Sequence, residues 1–120
     1  MIEIAACESH EHRNEPIIPM VFSALALEKA ARLFRALGDE SRLSLLVRLS
    51  NREACVTEIA ESFGEGASTI SQRLRLLRSE GLVKRRRDGK HLYYSLVDEH
   101  IHNLLANAID HSQEHKGAKL

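Results

Sequence analysis

"STISQRLRLLRSEGLVKRRRDGKHLYYSLV", residues 68–97, holds two different periods back to back. In its first half Ile70, Leu74 and Leu77 fall at helical spacing, and Gly81 supplies a stop. Ser68 is the expected N-cap. In its second half Leu92, Tyr94 and Leu96 alternate with His91, Tyr93 and Ser95, the period of a half-buried strand. Asp88-Gly89 between two strand-like runs signals a hairpin.

Upstream the pattern is helical. Leu27, Ala30, Ala31 and Phe34 recur at helical spacing from about Ala24 and run to Gly38. Asp39 is the expected N-cap of a second helix with Leu43, Leu46 and Val47 on one face. "VTEIAESF" reads as a short third helix with Val56, Ile59, Ala60 and Phe63 inward, ending at Gly64. The tight connection "GEGA" leads into the fourth. Two helices across a short turn, then a hairpin, predict a winged helix-turn-helix. The expected fold is mainly α with a small β-hairpin, in the order α-α-α-α-β-β-α. Residues 1–23, with both prolines (Pro16, Pro19), form an N-terminal arm. Residues 24–120 form the DNA-binding domain, whose last helix, about 98–115, serves dimerisation.

Charge points to the partner. The chain is neutral overall, yet between Ala67 and His91 eight Lys and Arg face only Glu80 and Asp88. Such a block in a neutral chain favours an anionic surface, nucleic acid first. Ser68, Thr69, Ser71, Gln72 and Arg73 sit in the first turns of the helix that enters the major groove, where Gln suits adenine and Arg suits guanine. Arg85, Arg86, Arg87, Lys90 and His91 surround the hairpin tip, as a wing that tracks the backbone requires. Side chains alternate across a strand, so these cannot all face DNA at once.

The C-terminal "DEHIHNLLANAIDHSQEH" holds four of the seven histidines. Ile101, Leu104, Leu105, Ala108 and Ile109 form an apolar stripe, a candidate dimer contact. His100, His111 and Glu114 follow one flank, and Asp98 stands at the helix start. His111 and Glu114 can share one ion, but His100 lies about 16 Å away along the axis. An antiparallel partner helix brings Asp98 and His100 of one subunit beside His111 and Glu114 of the other. Two imidazoles and two carboxylates suit tetrahedral zinc, or cobalt as a surrogate. The competing readings are Asp98 as a plain N-cap and the histidines as ordinary surface residues.

Other classes are disfavoured. The chain has 120 residues, enough for one ordinary domain, and its 43% apolar content includes few aromatics. Two cysteines make no disulfide framework. No apolar run approaches a membrane span, and "MIEIAACESHEH" resembles no signal peptide, so a cytoplasmic protein is expected. "HSQEH" matches the H-x-x-E-H zinc-protease pattern, but five residues from the end it leaves no third ligand and no cleft. An enzyme is not expected.

From about Ala24 to Glu114 the chain resembles the ArsR–SmtB family of metal-sensing winged-helix repressors, through "LGDESRLSLL", "CVTEIAE", "STISQRLRLLRSEGLV" and "RRRDGKHLYYSLVDEHI" in order. The zinc sensors of that family carry D-x-H…H-x-x-E on the C-terminal helix, and it falls on Asp98, His100, His111 and Glu114. The resemblance implies a homodimer that leaves its operator when metal binds. It also implies a second, thiolate site between arm and third helix, at Cys7 and Cys55 with His10 or His12, suited to cadmium, lead or further zinc. Members with a strong thiolate site carry a second Cys where this chain has Thr57. Two alternatives stand beside the zinc-responsive repressor. One is a thiol-based cadmium, lead or redox sensor through Cys7 and Cys55; the other is a DNA-binding dimer with no metal input.

Overall fold

A computed structural model describes residues 20–114. The order is α1 (Ala24–Leu37), α2 (Glu40–Asn51), β1 (Ala54–Cys55), α3 (Val56–Phe63), α4 (Ala67–Ser79), β2 (Val83–Asp88), β3 (His91–Leu96) and α5 (Glu99–Gln113). The expected helices and hairpin are all present. The addition is β1, two residues long, which pairs antiparallel with β3 and gives a three-stranded sheet of order β1-β3-β2. Two residues carry no periodicity, so nothing in their pattern marked them as a strand.

Helix ends follow local chemistry. Ser23, Asp39 and Asp98 each accept a backbone N–H in the first turn of α1, α2 and α5, at 3.0, 3.0 and 3.1 Å. The cap of α4 differs from expectation: it is Gly66, and Ser68 lies inside the first turn. Gly64 closes α3 in the left-handed region (φ 66°), its N–H reaching the carbonyls of Ala60 and Glu61. The hairpin loop is Gly89-Lys90 rather than Asp88-Gly89, because Asp88 pairs with His91. Among the described residues positive φ is confined to glycines, and Gly89 has it (φ 66°), so the first loop position needs Gly and Lys90 does not.

The core is aliphatic. Leu45, Leu46, Ile59, Ile70, Leu74, Leu77 and Leu82 are fully buried between α2, α3, α4 and the base of the sheet. Truncating Ile70 or Leu74 to Ala would cost about 2–5 kcal/mol. Arg42 of α2 donates to the carbonyls of Ala36 (2.8 Å) and Arg35 (3.3 Å), satisfying the last turn of α1 and setting its angle.

Two apolar faces are covered only in part by the chain's own core. The α1 face marked by Leu27, Ala30, Ala31 and Phe34 is exposed; α1 touches the core through Ala36, Leu33 and Leu37 instead. The stripe on α5 is divided: Ile101 and Leu105 are buried in the chain's own core, Leu104 and Ile109 are half-buried, and Ala108 is exposed. Helical spacing identifies an apolar face but not which neighbour covers it.

Candidate DNA interface and metal centre

The buried stripe Ile70, Leu74 and Leu77 turns the opposite side of α4 outward. Ser68, Thr69 and Gln72 are exposed there, as expected, whereas Ser71 and Arg73 lie half-buried on the two flanks. Arg75 and Leu76, both exposed, also belong to this outer face, beyond the first turns. Arg75 lies three residues beyond Gln72, on the same side of the helix.

Arg73 has a partner within the chain. Its guanidinium is engaged by Glu65 in the turn between α3 and α4: Nη1 contacts Oε1, and Nη2 donates to Oε2 at 3.3 Å. This bidentate bond holds the Glu65 carboxyl below its ordinary range and raises the Arg73 pKa. The guanidinium expected to meet guanine is thus paired with a carboxylate of the chain itself.

The wing divides in the same way. Directly opposed residues share a face, so Arg85 and Arg87 go with Tyr94 and Leu92, while Lys84, Arg86 and Asp88 go with Ser95, Tyr93 and His91. Arg86 is committed. It donates to Glu53 through Nε (2.9 Å) and Nη2 (2.6 Å), and its guanidinium carbon lies 4.8 Å from the Tyr93 ring centre. The pairing depresses the Glu53 pKa and raises that of Arg86. Arg85, Arg87 and Lys90 are exposed and form no ion pair among the described residues, as expected of backbone-tracking cations. His91 lies beside Tyr93, ring centres 6.2 Å apart.

The other cluster lies at the two ends of α5. Asp98 caps the helix through Oδ1, and its Oδ2 stands 3.7 Å from Nδ1 of His100. One turn from the other end, Nδ1 of His111 stands 3.8 Å from Oε1 of Glu114. All four side chains are at least half exposed. Among the described residues no three His, Cys, Asp or Glu side chains of one chain come together. Each end of the helix offers two donors. His102 is separate, lining a cleft with Val47 and Ser50 of α2.

Cys55 is the half-buried N-cap of α3, and its N–H donates to Glu58 at 3.0 Å. That bond lowers the Glu58 pKa. Cys7, His10, His12 and His115 lie outside the described residues. No helix among the described residues is long and apolar enough to cross a membrane.

A short helix, a glycine-bounded turn, an exposed reading helix and a cationic hairpin define a winged helix-turn-helix transcriptional regulator. Residues 39–85 match the model of the bacterial regulatory proteins of the arsR family. The chain is 39% identical over 115 residues to the transcriptional repressor SmtB homolog of Synechocystis sp., covering 93% of this chain and 87% of that protein. It is 40% identical over 85 residues to the cadmium resistance transcriptional regulatory protein CadC homolog of Staphylococcus aureus, covering 70% of each. Its fold is similar to that of the homodimeric winged helix-turn-helix DNA-binding domain of Mb0332 from Mycobacterium bovis, with TM-score 0.73 and 36% identity, covering 77% of this chain and 85% of that one. The chain belongs to the ArsR family of bacterial regulatory proteins, and it is a regulator rather than an enzyme.

Proposed function

We propose that this protein is a cytoplasmic, homodimeric repressor, released from operator DNA when zinc or a similar divalent ion binds between its C-terminal helices. One observation carries the metal reading: each end of α5 holds an imidazole and a carboxylate 3.7 or 3.8 Å apart. Two donors on one tetrahedral zinc, each bonded at ~2.0–2.1 Å, stand about 3.3 Å from one another. Each pair is thus within roughly half an ångström of sharing an ion. Two donors make half a tetrahedral set. Asp98 and His100 of one subunit with His111 and Glu114 of the other make a whole one.

The dimer reading rests on α1. Leu25, Leu27 and Phe34 on it, and Phe22 just before it, are each close to 60% exposed, more apolar surface than a solvated helix displays without a partner. DNA is read by Ser68, Thr69 and Gln72, with Ser71 and Arg75 beside them, and by the wing through Arg85, Arg87 and Lys90. A softer ion such as cadmium or lead suits the Cys55 sulfur, with Cys7, His10 and His12, outside the described residues, as the further donors of that site.

The test is DNA affinity with and without zinc in wild type, His111→Ala and Cys55→Ser. Zinc should weaken wild-type and Cys55→Ser binding at least tenfold, a coupling of about 1.4 kcal/mol, and leave His111→Ala unaffected. Unchanged wild-type affinity would remove the metal reading. Loss of response in Cys55→Ser alone would move the sensor to the thiolate site.

A further inference from the structure

The ion pair between Glu65 and Arg73 has no part in the core and none in the reading just described. Glu65 lies between Gly64 and Gly66, and its backbone N–H donates to the carbonyl of Ala60 at 3.1 Å, so the turn fixes its position. Its carboxylate takes both terminal nitrogens of Arg73. Arg73 also lines an open cleft of about 430 Å³ with Thr69 and Gln72 of the outer face and Asp39 of α2. A cation at the margin of the reading face is thus neutralised by one carboxylate in contact and faces a second nearby.

A partnerless Arg at this place would bind phosphate on any sequence, adding affinity without information. Held by Glu65, it has one N–H of each terminal nitrogen engaged, and a phosphate that met the remaining N–H groups would do so beside a carboxylate. Full transfer of the guanidinium to a phosphate would leave that carboxylate uncovered beside the DNA backbone.

We propose that Glu65 is a specificity-determining residue: by occupying the Arg73 guanidinium it keeps this cation off the phosphate backbone, which restrains binding to arbitrary DNA relative to the operator. The proposal rests on α4 reading DNA. It predicts that Glu65→Gln gains affinity, and gains more for the wrong DNA than for the right one.

Fluorescence anisotropy on the full chain tests it with two duplexes of about 30 base pairs, over roughly 50–200 mM salt. One duplex has random sequence; the other is enriched by the wild-type protein from a random library. Glu65→Gln should raise random-duplex affinity about tenfold and steepen its log–log salt slope by about 0.9 per subunit, the signature of one new phosphate contact. The ratio of enriched to random affinity should fall. In an Arg73→Gln background, Glu65→Gln should lose most of this effect, and Arg73→Gln alone should cost less random-duplex affinity than Arg85→Gln. An equal Glu65→Gln effect in both backgrounds would overturn the proposal, since the acid would then simply repel DNA. An Arg73→Gln loss as large as that of Arg85→Gln would overturn it as well. A wild-type chain that enriches no sequence and does not bind the random duplex would overturn the DNA reading together with the proposal, whereas the other two outcomes leave that reading intact. Thermal melts confirm that each variant is folded.

Discussion

Nδ1 of His100 stands 3.7 Å from Oδ2 of Asp98, while the other oxygen of Asp98 holds the Ile101 N–H at 3.1 Å. One carboxylate therefore both starts α5 and faces the imidazole two residues on. The helix cap and the donor pair are compatible because they use different oxygens.

That arrangement sets up a complementation test. A chain carrying Asp98→Ala with His100→Ala lacks one donor pair; a chain carrying His111→Ala with Glu114→Ala lacks the other. Each homodimer should bind no zinc at the proposed centre. A heterodimer of the two keeps one whole site and loses the other. An equilibrated equimolar mixture should regain about a quarter of wild-type zinc stoichiometry, by two-fold symmetry. Isothermal titration before and after mixing reads this; no recovery would exclude a site shared between subunits.

The wing should respond unevenly. Arg86 is bound to Glu53 and lies over the Tyr93 ring, whereas Arg85 and Arg87 have no such partner among the described residues. Arg85→Ala or Arg87→Ala should each shallow the salt slope of DNA binding by about 1 per subunit. Arg86→Ala should change the slope less and lower thermal stability more. Equal slopes for all three would show that Arg86 leaves Glu53 on DNA.

Dimerisation should depend on the exposed side of α1. Leu27→Glu or Phe34→Glu places charge on a surface that is 58% exposed in the single chain. Folding of the monomer should survive, and sedimentation velocity should show a shift from dimer to monomer. DNA affinity and zinc binding should fall together.

Backbone conformation gives two stability changes of opposite sign. Gly64→Ala forces a side chain into φ 66° and should cost about 1 kcal/mol or more, lowering Tm by roughly 4–8 °C. Gly66→Ser puts a hydroxyl where α4 has no side-chain cap and should gain a few tenths of a kcal/mol. Differential scanning calorimetry resolves both.

Acid should weaken the fold through three carboxylates. Glu53, Glu58 and Glu65 all have pKa values below the ordinary 4.5. A depressed folded-state pKa contributes stability that is present above the unfolded value and lost as pH falls through the folded one. These groups are solvent-accessible, so each contribution is small. Urea midpoints should decline from about pH 5 downward, and Glu58→Gln should flatten part of that decline while lowering stability at neutral pH.

The hairpin, the helices and the α4 core stripe were legible because each rests on a local rule: Ile70, Leu74 and Leu77 at helical spacing, and a glycine at the turn. What escaped depends on distant parts of the chain. β1 exists because Ala54 and Cys55 lie opposite Tyr94 and Tyr93, almost 40 positions downstream. The ion pairs of Arg73 with Glu65 and of Arg86 with Glu53 join residues 8 and 33 positions apart, which no local pattern marks. Formal charge counts cations, and only geometry says which are already engaged. The α5 donor pairs sit between these cases: their spacing was readable along the helix, while their closeness depends on the extended backbone of Asp98 and the rotamers of His100 and Glu114.

The β1–β3 ladder constrains how regulation can be exerted. It fastens the chain just before α3 to the middle of the wing, and Glu53 clasps the wing again through Arg86. Reading helix and wing thereby travel as one stiff head. An event at α5 would reorient that head rather than reshape it, so the adjustable quantity in the dimer is the span and phase between two heads, measured against the helical repeat of DNA.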